Sequence, residues 1–301
     1  MTLLASLLLS CGGPPGGDGA AEDPAATTTP ASDPCAVELG ESGLAVGEAN
    51  CTDGVCEVPA GSFVMGADLD GFPDQCPPRR VELSAFAIDE TEITRSAWAS
   101  CEAAGACPAL PACPSISAHD DEGALPATCV TWDEAQGFCA WAGGRLPTEA
   151  EWEKAARGTD GAPWAWGPVP PSCLEANFRF SSATCYGGVI EVGRLAAPDS
   201  VDAQVSSTRS AYGLVDTVGN AWEWVADWYD ARYYQDAPDV DPPGPEQCAQ
   251  GVDAARGTCR YRVIRGGGYN VTQDATRGSA RASGVPELRD GNLGFRCAYD
   301  R

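Results

Sequence analysis

The run CVTWDEAQGFCAWAGGRLPTEAEWEKAARG, residues 129–158, decides the fold. It reads as two helices in quick succession. Thr131 and Glu134 form a capping box, in which a hydroxyl and a carboxylate satisfy each other's backbone N–H groups. Trp132, Ala135, Phe138, Cys139 and Ala142 then recur at helical spacing, and Gly143 and Gly144 end the helix. Pro147 leads into a second capping box, Thr148 with Glu151, and Gly158 closes that helix. Trp152, Ala155 and Ala156 are expected to face a core, and nothing in the spacing of either helix is catalytic.

Working outward, GSFVMG (61–66) and VELSAFAIDETEITRSAW (81–98) alternate apolar and polar residues like a strand pair leading into a helix. Thr94 is placed to cap that helix, with Trp98 and Cys101 on its buried side. Downstream lie YGLVDTVGNAWEWVADWY (212–229), RVIRGGGYN (262–270) and GNLGFRCA (291–298). Between these blocks, 35 Gly and 24 Pro interrupt the chain so often that much of it must be loop. One large, loop-rich domain is expected.

The formal charge of −24, from 43 acidic and 19 basic residues, opposes binding to phosphate backbones or anionic head groups. Nucleic-acid binding is excluded on that ground, and metal cations are the more natural partners. Fifteen cysteines suit an oxidising compartment, where fourteen of them, leaving aside Cys11, can form cross-links. The sequence has no C-x-x-C pair and a single histidine, His119, which argues against a zinc centre, a thioredoxin-like site or Ser-His-Asp chemistry.

Residues 2–10, TLLASLLLS, are apolar but too short to span a bilayer, and they run into Cys11. Residues 1–11 therefore resemble a bacterial lipoprotein signal whose Cys11 would be acylated, with an ordinary cleaved secretion signal as the other reading. A lipid there would anchor the protein to the outer membrane. Residues 12–34 contain too little apolar surface to offset the entropy of ordering and read as a flexible tether. Residues 35–60 read as a cysteine-containing extension, and 61–299 as the main domain.

The blocks quoted above occur in the order found in the formylglycine-generating-enzyme family, which includes the sulfatase-modifying factors, and together they resemble that family's signature. The resemblance implies an irregular α+β fold, loop-rich, disulfide-bonded and related to C-type lectins. It implies a disulfide between Cys139 and Cys297, and a structural calcium held by Asp216, Gly219, Ala221 and Glu223, two carboxylates and two carbonyls being suitable for a hard cation. A second calcium would use Asn177 and Phe178. Formylglycine-generating enzymes bind copper through two cysteines shortly after the glycine motif, because Cu(I) selects soft thiolates. Here those positions are Val271 and Thr276, with Gly268 in place of the usual serine, so copper is not expected.

The function expected on this basis is an exported, calcium-stabilised module that binds a peptide, protein or glycan, without formylglycine-generating oxidation. Trp222, Arg265 and Tyr269 are its candidate groove residues. The alternative is a divergent enzyme of the same family, an oxidase or maturation factor acting on a secreted protein or peptide. Asn270, Val271 and Thr272 also form a glycosylation sequon, to which no role is given.

Overall fold

The computed structural model describes residues 51–68, 73–112, 122–196, 207–246, 252–253 and 258–301. Cys11, the 12–34 tether and His119 lie outside the described residues. The strands are β1 (Cys51–Thr52), β2 (Val55–Val58), β3 (Gly61–Met65), β4 (Arg79–Leu83), β5 (Phe86–Asp89), β6 (Arg179–Phe180), β7 (Ala183–Thr184) and β8 (Trp222–Trp228). They continue as β9 (Val252–Asp253), β10 (Thr258–Cys259), β11 (Arg262–Arg265), β12 (Ala282–Gly284), β13 (Leu293–Phe295) and β14 (Ala298–Asp300). The helices are α1 (Arg95–Ala103), α2 (Trp132–Trp141), α3 (Glu149–Arg157) and the single turn α4 (Tyr233–Asp236).

Each of the three longer helices begins where its capping residue dictates. The Thr94 hydroxyl accepts from the Ala97 N–H, and both capping boxes, Thr131 with Glu134 and Thr148 with Glu151, are complete. The centre of the molecule is the four-stranded sheet β12-β11-β8-β13, in which β8 runs antiparallel to β11 and parallel to β13. Because side chains alternate along a strand, WEWVADW covers both faces of this sheet. Trp222 and Trp224 join α2's Ala135, Phe138 and Cys139 in one core cluster, while Val225 packs with Trp152 and Ala156 of α3 and with Val263. Trp98 stacks on Phe138 at 5.5 Å between ring centroids, and the Phe295 edge meets both rings, contacts that contribute about 0.5–1.5 kcal/mol each beyond burial.

The second four-stranded sheet, β1-β2-β5-β14, places the domain's first strands beside its last. The domain therefore starts before residue 61, where the sequence reading put its boundary. β2 is no appended segment, since it hydrogen-bonds along all of β5 and buries Cys56 and Val58. Disulfides join Cys51 to Cys56, Cys101 to Cys107, Cys139 to Cys297 and Cys173 to Cys185, and Cys129 and Cys259 are also disulfide-bonded.

The apolar pattern of α3 understates how it is placed. Every residue from Glu149 to Arg157 is buried, the charged ones included. Their charges are matched internally. Arg265, fully buried, donates to Glu149 (3.1 Å) and Glu153 (2.6 Å), Arg281 forks onto Glu149, and Arg157 reaches Glu153 at 2.6 Å. The Lys154 ammonium donates to the Pro59 and Gly61 carbonyls, tying the helix to the start of β3.

Asp227, at the edge of this network, accepts the Glu149 N–H at 2.7 Å, and burial together with the Glu149 charge pushes its carboxyl up to about 8. Between its unfolded pKa near 4 and about 8, the folded protein holds a proton that the unfolded chain has lost, so stability falls as pH rises through that window. Asp227→Asn keeps an acceptor and cannot ionise. Its urea midpoint relative to the native chain should therefore rise from pH 5 to about pH 8 and level off above it. Parallel pH profiles for the two proteins would show that Asp227 is not the source of the slope.

Candidate functional site

The loop from Asp216 to Glu223 carries the residues expected to hold calcium. Its path is left-handed at Asp216 (φ 57°), Gly219 (φ 84°) and Asn220 (φ 63°). Only glycine fits at 219, where a Cβ would stand 2.2 Å from the Asn177 carbonyl oxygen. Asn220 fixes the loop from within. Its N–H donates to the Asn177 carbonyl (2.7 Å), its Oδ1 accepts from Asn177 Nδ2 and the Ile190 N–H, and its Nδ2 donates to Glu92 Oε1 at 2.9 Å.

Glu223 is fully buried. Its carboxylate accepts two hydrogen bonds from the Arg296 guanidinium, each 2.7 Å, and a third from Trp152 Nε1 at 2.8 Å. Asp216 Oδ2 accepts the Gly193 N–H at 2.5 Å. Glu92, which the sequence reading did not single out, completes the group: it is 1% exposed, and its carboxyl takes no N–H or hydroxyl on Oε2 but is within hydrogen-bond reach of the Asp216 carboxyl, with which it can share a proton. Burial, with the Asp216 and Glu223 charges close by, pushes the Glu92 carboxyl well above its usual range, and burial raises Asp216 as well. Its one sequence signal was an acid at an inward position of the alternating run AIDETEIT.

Three acids thus share one guanidinium, leaving two negative charges without a cation if all ionise. Either a proton shared between Glu92 and Asp216 or a divalent cation on these hard oxygen donors would relieve that imbalance. Among the described residues, no three His, Cys, Asp or Glu side chains are drawn together tightly enough to hold a metal by themselves. A calcium ion here would draw on Asp216 and Glu92 with the carbonyls of Gly219 and Ala221, Glu223 being committed chiefly to Arg296. Asp216 also lines a small cleft, with room for about one water, beside Trp166, Glu175 and Thr208.

The Asn177 and Phe178 pair is assembled differently from the expectation. The Phe178 carbonyl already accepts the Cys185 N–H within the β6–β7 hairpin, and the Asn177 amide is spent on Gly188 and Asn220. Asn177 Oδ1 is buried without a partner, but residues 176–190 contain no Asp or Glu to join it. Asn177 acts as a tie between this hairpin and the 216–223 loop.

The segment after the glycines gathers the remaining candidates. Arg265 is not a groove residue: it is wholly enclosed between Glu149 and Glu153, its two terminal nitrogens also donating to the Gly278 and Ser279 carbonyls while its Nε is buried without a partner. Trp222 is largely buried, and Tyr269 is half-buried over Leu125, Val189 and Ala221. Val271 packs against the main core cluster, and its carbonyl accepts the Arg179 N–H. Thr276 is fully buried, its hydroxyl donating to the Gln273 carbonyl and accepting from Trp164 Nε1. Neither position offers a thiolate, and the sequence has no cysteine between Cys259 and Cys297.

A formylglycine-generating enzyme of Streptomyces coelicolor is 33% identical over 83% of this chain and 90% of its own length. A second, from Thermomonospora curvata, is 30% identical over 82% of this chain and 93% of its own. Among solved structures, PvdO from Pseudomonas aeruginosa superposes with a TM-score of 0.63 at 25% identity, covering 82% of this chain and 94% of PvdO. Treponema denticola variable protein 1 shares the fold, with a TM-score of 0.63 at 22% identity over 82% of this chain and 95% of its own. Residues 43–301 match the model of the sulfatase-modifying factor enzyme 1-like domain, and the chain belongs to that family.

Proposed function

We propose that this protein is an exported, calcium-stabilised ligand-binding member of its family that does not carry out formylglycine-generating oxidation. The observation that carries this reading is the pair Val271 and Thr276, an isopropyl group and a buried hydroxyl, where the family resemblance calls for copper-binding thiols. Among the described residues, ten cysteines are held in disulfides. That disulfide content supports an oxidising compartment, and the Cys11 signal would place the protein on the cell envelope.

Two measurements test the reading. Aerobic incubation with a cysteine-containing sulfatase-motif peptide, with and without copper, should leave the peptide mass unchanged beside an active enzyme as control. Copper-dependent aldehyde formation would restore the divergent-enzyme reading, which the names of the bacterial relatives favour. Calcium at about a hundred times its Kd contributes about 2.7 kcal/mol to stability, so chelation should lower the melting temperature by roughly 5–10 °C. Glu92→Gln should remove most of that response. A melting temperature indifferent to chelation would leave the carboxylate cluster without its cation.

A further inference from the structure

Resting on the binding reading, we propose that the surface around Asn270 and Asn292 is a recognition site for the hydroxyl groups of a neutral oligosaccharide. Asn292 Nδ2 donates to Asn270 Oδ1 at 2.7 Å. Each amide carries two N–H donors and a carbonyl acceptor, so this bond aligns the pair while leaving the Asn270 nitrogen and the Asn292 oxygen for other partners. Asn270 is exposed, and the half-buried ring of Tyr269 adjoins it. The floor is Gly268, where a Cβ would come within 3.0 Å of Trp222 Cδ1 and 3.3 Å of Asn292 Nδ2. A side chain there would displace the indole or the amide.

The backbone here argues for a sugar over a peptide. An extended peptide is captured by a row of unpaired N–H and C=O groups on a strand edge. At this surface the groups on either side of Asn270 are engaged within the fold, leaving no continuous row: the Tyr269 N–H bonds Asn220, the Val271 N–H bonds Gly268, the Val271 carbonyl takes the Arg179 N–H, and the Asn292 carbonyl takes the Trp222 N–H. The surface is dominated by side-chain chemistry: planar amides, an aromatic ring and the exposed Asp290, whose Oδ1 accepts the Asn292 N–H at 3.2 Å. Amides and carboxylates bind vicinal hydroxyls in this way, and an aromatic face covers the C–H surface of a pyranose. Asp290 and a formal charge of −24 disfavour acidic sugars.

The test is saturation-transfer NMR of the full chain, produced in a bacterial host so that the Asn270 sequon stays bare. The probes are chitotriose, maltotriose and cellotriose, with trigalacturonate as the acidic control and blocked extended hexapeptides as the peptide arm. Transfer to at least one neutral trisaccharide, weakened about tenfold by Asn270→Ala and by Tyr269→Ala, is expected. Asn270 is exposed, so its variant should fold, and an unchanged melting curve verifies this. Silence from all three neutral sugars, transfer that both variants leave intact, or transfer to the hexapeptides alone overturns the proposal. The hexapeptide result would leave the binding reading standing, whereas peptide oxidation would remove the binding reading itself.

Discussion

Arg265→Leu is expected to destabilise the fold by about 3–5 kcal/mol, the range for removing one member of a buried ion pair and stranding its partner. The side chain is fully buried, and its guanidinium answers Glu149, Glu153 and two carbonyls. Without it, two carboxylates on a helix with no solvent-facing side keep only Arg157 and Arg281 as counter-charges, with the Gly66 N–H and the Tyr234 hydroxyl on Glu153 as neutral donors. Arg265→Lys should recover only part of the loss, because a point charge cannot fork between two helical turns. Urea unfolding measures both. A change below about 1 kcal/mol would mean that Glu149 and Glu153 are protonated or hydrated in the folded protein.

The second large effect belongs to the bridge between Cys139 and Cys297, which spans 158 residues. Loop-closure entropy of a link that long constrains the unfolded chain by about 5 kcal/mol. Replacing both cysteines with serine should therefore cost a comparable amount, increased by burying two hydroxyls at positions that are 0% exposed. Replacing Cys51 and Cys56, which close a hairpin only five residues apart, should cost less than half as much by the same relation. Equal losses from the two double variants would show that strain or residual structure, and not loop length, governs both.

What the sequence disclosed follows from the range of the forces involved. The capping boxes at Thr131 and Thr148 and the cap at Thr94 are local, and each stands where the residue pattern put it. The identity of Glu223's partner was not legible. Arg296 lies 73 positions away and is brought to it by the parallel pairing of β13 with β8, which leaves no periodic trace. Glu92 was hidden for the same reason, 128 residues from the Asn220 amide that marks its place. Arg265 misled in the other direction: an arginine beside three glycines reads as a surface group until α3 is laid across it.

The sheet β1-β2-β5-β14 carries one more consequence. Residues 86–89 take their partners from both ends of the domain, Val55–Val58 on one side and Ala298–Asp300 on the other. Arg296 and Cys297 arrive with that last strand, bringing the counter-charge for Glu223 and the bridge to α2. During vectorial synthesis, then, this domain lacks its closing pieces until residues 296–300 have emerged from the ribosome. Until that segment arrives, β5 keeps an unpaired edge and Glu223 an unanswered charge, so the two sheets and α2 close together as one unit.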